Sequence, residues 1–218
     1  MKKSLAKDPL KYLLILLIGI LFSIAYHFYT APDLSINIIV KDDPEITYED
    51  NGRTWKSADI TFKELAKVSM RAKVLSTHPY DWLNTWAQQA EEEEETQLSP
   101  EDVLLGWGSM SDNNVWTLIG YNKGDHHYSL DIPLAFPLAM DYLKKHANNS
   151  HIIPANDHVR ETLKHLNIND IIVAHGFLVD VTFTDGQHWV EENQQQGGES
   201  QPISNILFFV QDLKVESN

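Results

Sequence analysis

The longest apolar run in the chain, YLLILLIGILFSIAYHFY at residues 12–29, carries no charged side chain and no polar stripe, so it predicts a helix that is greasy on every side. Its eighteen residues, at about 1.5 Å of rise each, cover roughly 27 Å, near the hydrocarbon thickness of a thin bilayer. Tyr12 at one end and Tyr26, Phe28 and Tyr29 at the other suit the two membrane interfaces, where amphipathic rings settle. A membrane span at residues 12–29 is the expectation. A cleaved signal peptide is the rival, with Ser23-Ile24-Ala25 resembling a small-x-small cleavage site, but large aromatics would then follow the cut.

Past a short linker at residues 30–34 the pattern changes period. Ser35-Ile36-Asn37-Ile38-Ile39-Val40 begins with polar-apolar alternation and predicts a first strand, and Asn51-Gly52 between two β-prone runs predicts a hairpin turn. The cleanest alternation places Val68, Met70, Ala72 and Val74 on one face and Lys67, Ser69, Arg71 and Lys73 on the other, a strand with one wet, basic side. Helical spacing follows at residues 81–95, which end in five adjacent glutamates. Ser99-Pro100-Glu101-Asp102 reads as the cap and first turn of another helix ending near Gly106, and a short helix carrying Val115, Trp116 and Ile119 should start near Asp112. A turn is expected at residues 122–125, with a strand after it. Helices are expected at residues 138–146 and, capped by Asn156 or Asp157, through Val159, Leu163 and Leu166. Residues 171–183 form the longest β run, with a bend at Gly176, then a turn at Asp185-Gly186 into His188-Trp189. The polar stretch 191–204 reads as a loop, and residues 206–215 as the last strand. Strands at both ends with helices between them predict an α+β domain at 35–218. Its sheet should be antiparallel and able to curl toward a barrel, with several short helices.

Charge then orients the molecule. The leader, residues 1–11, holds Lys2, Lys3, Lys7 and Lys11 against Asp8, while Asp33, Asp42 and Asp43 face Lys41 beyond the span. By the positive-inside rule the N-terminus stays cytoplasmic and the domain lies outside the bacterial inner membrane, in the periplasm. Taking the leader's +3 from the chain's −14 leaves −17 on the rest. Such a surface repels phosphate backbones, so nucleic acid is excluded as the expected partner and an envelope protein takes its place. With no cysteine, disulfides and thiolate chemistry are excluded too.

The densest polar cluster is His146-Ala147-Asn148-Asn149-Ser150-His151, where two imidazoles and an amide lie within six residues. His146, Asn149 and His151, with Asp112 as a carboxylate from elsewhere, are the candidates for acid–base or metal chemistry. The alternative is structural, with His146 serving a helix C-terminus and His151 a nearby carbonyl. Trp107 and Trp116 are the candidate binding residues, since tryptophan favours interfaces. The contiguous glutamates lack the spaced ligands of a calcium loop, adjacent strand histidines at 126 and 127 point apart, and no cofactor or confident metal site is expected.

Three blocks are similar to an uncharacterised family of bacterial single-span membrane-anchored proteins. They are Leu105-Gly106-Trp107-Gly108-Ser109-Met110-Ser111-Asp112, then His146, Asn149 and His151-Ile152-Ile153-Pro154-Ala155, then Asp170, Gly176, Leu178 and Val179. The likeness runs from about Leu65 to Val215. It departs where the family would carry an arginine-tyrosine-x-tryptophan strand, here His127-Tyr128-Ser129-Leu130, and a cysteine-glutamate pair near the end is missing. The resemblance implies a bacterial envelope protein without implying a reaction. Two functions follow: a membrane-tethered accessory or partner-binding domain, or a hydrolase centred on His146, Asn149 and His151.

Overall fold

The computed structural model describes residues 9–30, 33–80, 97–124, 127–189, 201–202 and 204–216. The chain divides into two compact units, Met1–Asp33 and Leu34–Asn218. The first holds one helix, α1 (Pro9–Thr30), whose described side chains stand exposed on every side. Among the described residues no helix is long and apolar enough to cross a membrane.

The second unit is α+β, and its spine is one long strand. Three strands come first: β1 (Glu45–Tyr48), β2 (Thr54–Ser57) and β3 (Ile60–Pro79). Then follow β4 (Glu101–Gly106), a 3-10 turn (Gly108–Ser111), α2 (Asn113–Trp116), β5 (Gly120–Gly124), β6 (His127–Asp131) and α3 (Met140–Lys145). The chain continues through β7 (Ala147–Pro154), α4 (Asp157–Leu163), β8 (Ile171–Thr182), β9 (His188–Trp189), β10 (Gln201–Pro202) and β11 (Ser204–Val215). Residues 61–73 of β3 pair antiparallel with β8, and residues 73–79 pair with β4. β4 pairs with β7, β7 with β11, and β11 with β8, so the hydrogen-bonded circuit returns to β3 as a ring-like sheet. The sheet is mixed where a wholly antiparallel one was expected, because β7 and β11 run parallel. A parallel pair needs a long crossover, and α4 with β8 and β9 supplies it.

Extra residues at Leu65, Leu75 and Gln211 break the ladders and let the strands bend. The bend expected at Gly176 lies opposite both Val68 and Val210, and a Cβ there would sit 2.0 Å from the Phe209 carbonyl oxygen. Only a glycine lets the two backbones approach this closely. Alternation puts Val68, Met70, Val74, Val103 and Phe208 inside the ring, where Val159 and Leu163 of α4 pack against them. A second sheet, ordered β10-β6-β5, contributes Tyr128 and Leu130 to a separate core with Leu75, Leu104 and Leu143.

Several expectations are corrected. Residues 35–40 form no strand; they are a strap held by side chains. β1 and β2 do not pair with each other: both lie along the same long strand, β3, and Gly52 is needed because a Cβ would stand 2.0 Å from the Glu64 carbonyl oxygen. The segment after Ser99 is a wholly buried strand in place of a helix, since a three-residue apolar run looks alike in both periods and tertiary pairing decides. Lys73 keeps to the face of Lys67 and Arg71, but that face is covered there by Asn37 and Asn113, and Lys73 is fully buried. Residues 122–124 of the turn expected at 122–125 belong to β5, which pairs with β6 as far as Gly124 opposite His127. The expected helix at 81–95, Asp125 and His126, and most of the 191–204 loop lie outside the described residues.

Candidate functional site

The pairing of β3, β4, β7 and β11 builds one polar cluster. Asp102 stands opposite both His78 and His151, and Asn149 opposite both Leu104 and Asn205, so these side chains share the sheet face that points away from the ring interior. His151 Nδ1–H donates to Asp102 Oδ1 at 2.6 Å, with both side chains almost wholly buried. Asp102 Oδ2 accepts from the Tyr80 hydroxyl at 2.6 Å and from Asn149 Nδ2 at 3.4 Å. Asn149 Nδ2 also reaches Asn205 Oδ1 at 3.2 Å, and the Trp189 ring lies 5.3 Å from the imidazole. A carboxylate holding three donors is an acceptor throughout, which fixes the His151 tautomer with its proton on Nδ1.

Asn149 Oδ1 is buried and has no hydrogen-bond partner among the described residues. Rotating the amide would not help, because it would aim the oxygen at Asp102 Oδ2 and Asn205 Oδ1, both acceptors. On the opposite face of β4, Glu101 is pushed up from 4.5 to about 7, chiefly by burial; a hydrogen bond with Thr77 opposes this and the nearby Asp102 adds to it. Ser99, read from the sequence as a helix cap, donates its hydroxyl to the Ile152 carbonyl at 3.1 Å and ties the start of β4 to β7.

The other expected site residues go elsewhere. His146 terminates α3, donates from Nδ1 to the Tyr142 carbonyl at 2.6 Å, stacks on the Tyr142 ring at 3.9 Å, and has Nε2 3.7 Å from Asp43. Asp112 caps α2: its Oδ1 accepts from Asn37 Nδ2 and from the Asn114 N–H, each at 2.8 Å. Those bonds, Asn37 first, hold its carboxyl below the usual range. Thus Asn149 and His151 come together, while His146 and Asp112 each serve a helix end. Trp107 and Trp116 are both core residues, Trp107 beside Val40 and Ile171 and Trp116 donating from Nε1 to Asn113 Oδ1 at 3.2 Å.

Around Asp112 a second polar cluster clamps the strap at residues 34–40. Asn113 Nδ2 donates to the carbonyls of Leu34 and Ile36, Asn169 Nδ2 to that of Ile36, and the Val40 N–H to Ser111 Oγ at 2.8 Å. Lys73 Nζ donates to Asn113 Oδ1 at 2.8 Å, and burial pushes its amine down to about 8 although Asp112 pulls the other way. The basic face expected of β3 is otherwise neutralised, Lys67 by Glu49 at 2.7 Å and Arg71 by both oxygens of Glu216 at 2.6 and 2.9 Å.

Sequence reasoning missed Tyr80, Asp102, Asn205 and Trp189 because no short motif joins them; only the register does. Among the described residues no group of three His, Asp or Glu side chains is placed to hold a metal ion. No protein-family model, curated protein or solved structure matches the chain.

Proposed function

We propose that the chain is a membrane-tethered envelope domain that binds a protein partner, with its N-terminus in the cytoplasm and the domain at 35–218 outside. One observation carries the reading. The titratable side chains singled out above each hold a structural partner: Asp102 bonds His151 and Tyr80, His146 the Tyr142 carbonyl, and Asp112 the Asn37 amide and a helix N–H. Asp102 and His151, buried and bonded to each other across two strands, favour a network that fixes strand register over one that turns substrate over. The exposed apolar side chains of α1, from Tyr12 to Ile24, support the tether. Net charge argues against nucleic acid.

Topology is tested by fusing alkaline phosphatase after Val40. Activity is expected, and an inactive fusion beside an active cytoplasmic reporter overturns the orientation. Partner binding is tested by photo-crosslinkers placed at the exposed Tyr48, Leu118 and Leu134 of the full chain in intact membranes. A discrete adduct from one position is expected, and silence at all three counts against a binding role.

A second reading is favoured by Asn149 Oδ1, an orphaned acceptor beside an oriented imidazole. It makes His151 an acid–base group with Asp102 as its orienting carboxylate. Elemental analysis of purified protein, before and after His151→Ala, tests the metal-dependent version, and unchanged metal content removes it.

A further inference from the structure

We propose that the outer edge of β1 is the docking strand for an extended, basic segment of another protein, which adds to the sheet beside Glu45–Tyr48. This rests on the partner-binding reading and names its surface. β1 ends the large sheet: it pairs with β3, and among the described residues no strand pairs with its other side. The Glu49 N–H donates to the Leu65 carbonyl, and antiparallel pairs alternate, so Thr47 and Glu45 also turn their backbone groups to β3. The N–H and C=O of Ile46 and Tyr48 therefore face outward, an open ladder ready for another strand.

Side chains and charge say what fits. Ile46 and Tyr48 share the face of β3 that bears Val68 and Ala66, yet stand 42% and 73% exposed, so an apolar strip leaves the core and reaches the rim without a cover. Along the chain Asp42, Asp43, Glu45, Glu49 and Asp50 lie in or beside it against Lys41, with Glu49 already paired to Lys67 and Asp43 3.7 Å from His146 Nε2. Two copies would bring these carboxylates together, so the edge is guarded against its own kind. Charges and Pro44 explain that protection, but a strand meant to stay bare gains nothing from an exposed isoleucine and tyrosine. A segment alternating lysine or arginine with β-branched residues satisfies the backbone edge, the apolar strip and the acidic rim together.

The test uses the full chain in detergent micelles and a fluorescein-labelled decapeptide alternating lysine and valine. Four controls accompany it: the glutamate-valine counterpart, the lysine peptide N-methylated at alternate backbone nitrogens, Tyr48→Pro, which removes an outward N–H and leaves the β3 ladder, and the pair Ile46→Ser with Tyr48→Ser. Saturable binding is expected for the unmodified lysine peptide alone, weakened at least tenfold by N-methylation, by Tyr48→Pro and by the pair Ile46→Ser with Tyr48→Ser. The serine pair keeps the test open if proline unfolds the strand. Equal binding of the methylated peptide reduces the effect to charge attraction and overturns the proposal, as does no binding at all. A photo-adduct at Leu118 or Leu134 with none at Tyr48 also overturns it while leaving the partner-binding reading intact; silence at all three sites removes both.

Discussion

Glu101→Gln should make the protein more stable, and increasingly so as the pH rises. Glu101 sits on the β4 face that carries Val103 and Leu105 into the ring interior, and it is 7% exposed. Its carboxyl titrates near 7 against an ordinary 4.5, with burial as the main cause. Between those values the folded state keeps a proton that the unfolded chain has lost, so stability is full below about 4.5 and falls until about 7. At 1.36 kcal/mol per pH unit the loss is about 3 kcal/mol, of which about 2 fall between about pH 5.5 and about pH 8. Glutamine keeps the shape and can still bond Thr77, but never ionises. Urea unfolding of the full chain in micelles, followed by tryptophan fluorescence, should give a variant-minus-wild-type difference that grows by about 2 kcal/mol across that window. A difference that stays flat, or shrinks toward alkaline pH, would refute the claim that burial governs Glu101.

Lys73 offers the mirror test. Its folded value of about 8 lies below the ordinary 10.5, so the unfolded chain binds the extra proton between them, and stability should rise across that window by up to about 3 kcal/mol. Lys73→Met should abolish that rise and cost little near neutrality, because Asn113 Oδ1 keeps the Trp116 N–H; unfolding midpoints at about pH 7.5 and about pH 10 check both points. Tyr80→Phe should cost about 1.5–3 kcal/mol by the same assay, the worth of a hydrogen bond to a buried carboxylate. Gly176→Ala should cost about 3 kcal/mol or more, since the new Cβ meets the Phe209 carbonyl; a variant as stable as wild type would mean the strands are further apart than described. Removing the half-exposed Arg71 fork by Arg71→Ala should cost less, about 1 kcal/mol, and less again in high salt.

What the sequence revealed follows from how local each signal is. Asn156 caps α4 through its own side chain, and Val159, Leu163 and Leu166 form the buried stripe expected of them, because cap and stripe lie within three turns. The alternation of β3 and the length of β8 were visible for the same reason. Ser99-Pro100-Glu101-Asp102 misled because its helix-start chemistry is real but was put to other use: the hydroxyl bonds a neighbouring strand and the two acids enter opposite faces of a sheet. Asn51-Gly52 misled because it suggested a turn residue with positive φ where the constraint was the nearness of the Glu64 backbone, a long-range fact. The site was half legible. Asn149 and His151 drew notice by composition, but Asp102 lies 49 residues from His151 along the chain, and only the β4–β7 register joins them.

The strap at residues 34–40 shows the same limit and gives it a physical meaning. Its alternation is genuine, yet no strand of the sheet pairs with it: β3 takes β8 along one side and β1, β2 and β4 along stretches of the other. Asn113, Ser111 and Asn169 therefore satisfy its backbone where a neighbouring strand would have done so. A load on the chain just before Leu34 would reach those side-chain hydrogen bonds before it reached any ladder. Asn113→Ala should therefore release the strap carbonyls of Leu34 and Ile36 from the Asn113 amide while the ring-like sheet stays paired.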